Sequence, residues 1–88
     1  MENAVDEAVS TIESAANGIA GAIMVGDVGY AKKRHAEIAD AVKSLPASVG
    51  TAILGQVDNM LVACRQRDMH SGFTLNIAIG ELLAPFCD

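Results

Sequence analysis

The sequence predicts an all-α domain: a small bundle of three to four helices in up-down antiparallel order, completed by dimerisation. Three observations predict it. Apolar side chains recur in steps of three and four along most of the chain, the spacing of one helix face. Turn and cap residues separate these stripes by short intervals, which favours antiparallel neighbours. Fifteen Ala and eight Gly among 88 residues supply small side chains that let helix backbones approach closely.

The first helix is expected over Ala4 to about Val25. Val5, Val9, Ile12, Ala16, Ile19 and Ile23 step by four, three, four, three and four along one stripe. Asn3 is the expected N-cap, and Asp6 and Glu7 in the first turn suit the helix dipole. Glu2, Asp6, Ser10, Glu13, Ser14 and Asn17 lie opposite the stripe. Beyond Asn17 the helix is apolar all round, so its far end must be buried on more than one side. Gly18, Gly21 and Ala22 invite a close crossing there. Gly26-Asp27-Val28-Gly29 turns the chain, with Asp27 placed to cap a second helix, Val28 to Ser44.

The second stripe is Val28, Ala31, His35, Ile38, Val42 and Leu45. Leu45-Pro46 closes this helix, because the residue before proline resists the α region. Ser48 is the expected N-cap of a third helix, Val49 to about His70, with Val49, Ile53, Val57, Met60 and Cys64 on its inner stripe. Ser71-Gly72 reads as a break or a kink. The last segment carries two patterns. Phe73, Leu75, Ile77 and Ile79 alternate as in a strand, whereas Leu75, Ile79, Leu82 and Phe86 fit a helix. A lone strand has no partner within this chain, so a helix is expected over Phe73 to Ala84, ended by Pro85. No internal repeat or linker is legible, and residues 1–88 read as a single domain.

The net charge is −5, and its distribution says more than its size. Residues 1–27 carry Glu2, Asp6, Glu7, Glu13 and Asp27 with no Lys or Arg, whereas residues 28–88 carry six acids and six bases. An acidic face repels phosphates, so no direct nucleic-acid binding is expected. It suits a protein partner with a basic surface, and Glu2, Asp6, Glu7 and Glu13 are expected to carry that contact. Small acidic proteins of phages and mobile elements inhibit nucleic-acid-handling host complexes in this way, an analogy of size and charge alone.

Two alternatives use other residues. Lys32-Lys33-Arg34 opens the second helix and Arg65-Gln66-Arg67 ends the third. Antiparallel packing brings those ends together with Tyr30 and His70, an anion-binding patch suited to a phosphate or small nucleotide. The hydrophobic surplus, 51% of residues, argues for a homodimer with Ile19, Ile23, Met24, Phe73, Ile77 and Phe86 at its interface. A structural homo-oligomer subunit is the remaining alternative.

Catalysis is not expected. Cys64 and His70, six apart on one continuous helix, point about 120° apart and match no zinc spacing. Gly26-Asp27-Val28-Gly29 lacks the Lys-Ser/Thr of a phosphate loop. Asp6-Glu7 lies on a solvated turn with nothing to raise either carboxyl. No cofactor is implied. Two cysteines are too few for a disulfide scaffold, and the acidic N-terminus lacks the basic region of a signal peptide. The apolar run Gly18 to Val25 is far shorter than the roughly 20 residues needed to cross a bilayer. A cytoplasmic, non-membrane protein is the resulting expectation.

Overall fold

Each helix begins where a side chain or a proline satisfies its first amides. In the computed structural model, which describes residues 3–87, the elements are α1 (Ala4–Ile23), α2 (Val28–Ala41, extended by a 3₁₀ turn Val42–Ser44), α3 (Ala47–Gln66) and α4 (Met69–Leu83, extended by a 3₁₀ turn Ala84–Phe86). Asn3 Oδ1 accepts from the Asp6 amide at 2.9 Å, and Asp27 Oδ1 accepts from Tyr30 at 3.0 Å, as the sequence predicts. Glu2 lies outside the described residues.

Three expectations need correction. α3 starts at Ala47 rather than after Ser48, because the Pro46 carbonyl accepts from both Val49 and Gly50 at 3.0 Å. α3 stops at Gln66 rather than near His70. Arg67 takes the left-handed conformation (φ 53°), Asp68 N donates to Ala63 O at 2.9 Å, and Arg67 N donates to Cys64 O at 3.1 Å. Asp68 then caps α4, accepting the Ser71 amide at 3.1 Å and the Ser71 hydroxyl at 2.6 Å. His70 therefore belongs to the first turn of α4. Finally, Ser71-Gly72 is no break: Gly72 is a buried helical residue where a Cβ would collide with Ile23 Cδ1. The alternating pattern over 73–80 is helix, not strand.

The other turn at this end uses the same bonds. Asp27 N donates to Ala22 O at 3.1 Å and Gly26 N to Ile23 O at 3.2 Å, with Gly26 left-handed at φ 68°. Glycine pays no steric cost there, whereas arginine costs about 1 kcal/mol. The Arg67 side chain lies over Gly26, and its Nη2 donates to Met24 O at 3.1 Å, tying the two turns together.

Among the described residues α1 packs against all three other helices, α3 does the same, and α2 and α4 do not touch, so α1 and α3 meet across the short diagonal. Cys64 approaches Ala22 and Arg67 reaches Met24, which puts the ends of α1 and α3 together. Asn76 meets Asn17 and Cys87 meets Glu13, so α4 runs back along α1. The bundle measures 37 × 20 × 20 Å. Ile12, Ile19, Ile23, Ile38, Ile53, Val57, Met60, Cys64, Ile79 and Leu83 are fully buried, each large side chain contributing about 1.5–3 kcal/mol. Among the described helices α3 has the length and mean hydropathy (1.2) of a membrane span. Its Ile53, Val57, Met60 and Cys64 face the core of the bundle.

The structure also shows an internal repeat that the sequence conceals. The burial patterns of the hairpins α1–α2 and α3–α4 coincide at an offset of 41 residues. Val9 pairs with Gly50, Ile12 with Ile53, Ala16 with Val57, Ile19 with Met60, Ala22 with Ala63 and Ile23 with Cys64, all buried. In the second helices Ala31 pairs with Gly72, Ile38 with Ile79 and Val42 with Leu83, also buried. The caps Asp27 and Asp68 and the left-handed residues Gly26 and Arg67 keep the same offset. The two hairpins thus share one plan of burial, caps and turn bonds.

Candidate functional site

At the offset of 41 residues the α1–α4 face corresponds to the α2–α3 face. Each is crossed by a polar bridge at equivalent positions. Asn76 Nδ2 donates to Asn17 Oδ1 at 2.9 Å across α1–α4. His35 Nε2 lies 2.8 Å from Asp58 Oδ1 across α2–α3, and the carboxylate, an acceptor, fixes that nitrogen as the donor.

The two faces then diverge. Where α2–α3 carries Arg65, Lys32 and Ala36, α1–α4 carries Met24, Phe73 and Ile77. These last three are 59%, 60% and 63% exposed, an apolar surface that the bundle itself does not use. Met69, Phe73 and Ile77 follow one another in i, i+4 steps along α4. Gly72 lets α4 approach Ile23 of α1 closely at this end. α1 and α4 contain no Lys or Arg at all. Toward the far end of the bundle a groove of about 390 Å³ runs between α1 and α4, with Glu13, Asn17, Asn76 and Gly80 on its walls and Ile79 and Leu83 beneath. It continues past Glu13 and Cys87 to Asp6 and Phe86. The face is thus apolar at one end and acidic at the other.

The residues expected from the sequence scatter around this frame. Asp6 and Glu13 border the α1–α4 groove, whereas Glu7 faces α2 beside Glu37 and Asp40. Ile19 and Ile23, expected at a dimer interface, are fully buried inside the bundle and offer no surface. Phe86 is half-buried against the core, and Met24, Phe73 and Ile77 are exposed. The seven residues of the expected anion patch gather at one end of the bundle but on separate flanks. Arg34 lies on the α1 side, its Nη1 held by Glu37 at 2.7 Å and its Nη2 by Ser14 at 3.2 Å, with the Tyr30 ring beneath at 5.9 Å. Helical register sets Lys32 and Arg65 on the α2–α3 flank and points Lys33 outward. Arg67 spans the two turns. His70 lines a groove of about 490 Å³ between α3 and α4 with Gln66, Asp68 and Thr74. In the first hairpin Tyr30 stands where this groove has Ser71.

The titratable groups have structural employment. Burial, reinforced by the Asp27 charge, pushes the Cys64 thiol up from its ordinary range, so the protonated and weakly nucleophilic form dominates. The Ser71 hydroxyl and amide, helped by His70, hold the Asp68 carboxyl below the ordinary aspartate range. Cys87 Sγ approaches Leu83 O at 3.4 Å and Glu13 Oε1 at 3.7 Å. Among the described residues no group of three or more His, Cys, Asp or Glu side chains stands close enough together to hold a metal ion.

Comparison with known protein families, curated proteins and solved structures finds no match. The functional reading therefore rests on the chemistry of the molecule itself.

Proposed function

We propose that the protein is a non-enzymatic binding module that docks its α1–α4 face on a protein partner with a basic surface, as an adaptor or inhibitor. The observation that carries this reading is the exposure of Met24, Phe73 and Ile77 where the equivalent face carries Arg65, Lys32 and Ala36. The same backbone plan is thus furnished for water on one side and for contact on the other. Asp6 and Glu13 add an acidic rim that steers a basic partner toward it.

A homodimer through this face is the competing occupant. The like charges of Asp6 and Glu13 oppose an isologous pairing. Sequestering of a small anion at the cationic end has less support, since Arg34 and Arg67 already bond within the chain.

Affinity capture tests the proposal, with the tagged chain as bait in lysate of its source. The expected result is a protein held at low salt and released at high salt. It is lost with the bait Phe73→Lys/Ile77→Lys and kept with Lys32→Glu/Lys33→Glu. The reverse dependence, or a nucleotide recovered without protein, moves the function to the cationic end. Recovery of the chain alone as a discrete oligomer makes it a homo-oligomer.

A further inference from the structure

We infer that the occupant of the α1–α4 face is a single basic amphipathic helix of the partner, laid along the groove between the two helices; this rests on α1–α4 being the docking face. Shape is the first argument. From Asp6 to Met24 the face runs about 27 Å, the length of a helix of about 18 residues. Two antiparallel helices with a groove between them offer a seat to a third helix, and the exposed side chains follow i, i+4 spacing.

One glycine supplies the second argument. A Cβ at Gly80 would meet nothing within 4 Å. The bundle does not require this glycine, and it lowers helix stability relative to alanine. Gly80 lines the groove and thins its wall where an incoming backbone would come nearest. Gly21 and Gly55 are equally open but lie off this groove.

Charge selects the kind of helix. Its apolar side chains would cover Met24, Phe73 and Ile77, and its Lys or Arg side chains would reach Asp6 and Glu13. No Lys or Arg on α1 or α4 competes. An anionic membrane surface would be repelled by the same carboxylates. A second copy has no suitable helix to give. Its basic helix α2 already buries Ala31 and Ile38 in its own core, and its α1 and α4 are acidic.

The test is a titration of the full chain with a Leu/Lys peptide of about 18 residues, striped at i, i+3, i+4 and i+7. The controls are the same composition scrambled and a Leu/Glu version. Fluorescence anisotropy reads affinity and amide chemical shifts locate the site. The striped basic peptide is expected to move Glu13, Asn17, Phe73, Asn76 and Gly80. Both controls are expected to bind about tenfold more weakly or worse. Gly80→Ala should raise Tm yet weaken peptide binding, two effects of opposite sign that loss of folding cannot produce. Equal binding of the scrambled peptide, shifts confined to other faces, or self-association through these residues in sedimentation overturns the inference. If the Leu/Lys helix fails while capture still depends on Phe73 and Ile77, the helix falls and the docking face stands. If capture is also indifferent to Phe73 and Ile77, both fall.

Discussion

The α1–α4 and α2–α3 faces share one backbone plan and are furnished in opposite ways. Ile12 and Ile53, Ile38 and Ile79, and Asp27 and Asp68 keep their identities across the repeat, inside the core or at the caps. Phe73 opposite Lys32 and Met24 opposite Arg65 do not, and both pairs lie on the surface. One hairpin interface thus acts as an internal control for the other. What the two share is what folding demands. Where they differ, folding is indifferent and another constraint decides.

The hardest blow to this symmetry falls in the core. Ile12→Ala and Ile53→Ala should each cost about 2–5 kcal/mol, and by similar amounts, since both side chains are fully buried at equivalent positions. Urea denaturation measures it, and a large inequality would break the equivalence of the hairpins. Next comes the core pair Ala31 and Gly72, where the closeness of approach differs. Gly72→Ala drives a methyl into Ile23 and should cost about 1–3 kcal/mol, whereas Ala31 already holds that methyl on the equivalent helix.

Smaller effects sharpen the comparison at the caps. Asp68 has a folded-state pKa below its unfolded one, so its contribution to stability is present above the ordinary value of 3.8. That contribution disappears as pH falls through the folded value. Asp68→Ala should lower Tm at neutral pH and flatten this acid-side decline, read from melts across the acid range. The two thiols should separate as well. A thiol reagent is expected to label exposed Cys87 first and buried Cys64 only as the bundle opens, which mass spectrometry over time resolves. Early labelling of Cys64 would mean that the α1–α3 diagonal is open.

The helices were legible because their stripes and caps are local. Asn3 and Asp27 cap where the sequence says they should, and the stripe of α1 is buried nearly as read. The α3–α4 turn was not legible, because Arg67 occupies a left-handed position where a reader looks for glycine, and Gly72 looked like the break instead. Once Arg67 is set aside, Asp68 with Ser71 three residues on is the cap signal that was present. The repeat was hidden because Ile12/Ile53, Ala22/Ala63, Asp27/Asp68 and Ile38/Ile79 are its sole identities at that offset. Burial, not identity, carries it. Periodicity alone also mistook Ile19 and Ile23 for interface residues, since a stripe does not say whether its cover comes from the same chain. The exposed Phe73 and Ile77 emerge only when α4 is rotated correctly against α1.

The most direct measurement is the urea unfolding of a face-exchanged chain, Met24→Arg/Phe73→Lys/Ile77→Ala, which copies Arg65, Lys32 and Ala36 onto the α1–α4 face. The expected result is an unchanged m-value and a stability within about 0.5 kcal/mol per site of the parent. A loss of several kcal/mol would contradict it, making Met24, Phe73 and Ile77 part of what holds the bundle together rather than a surface kept for a partner.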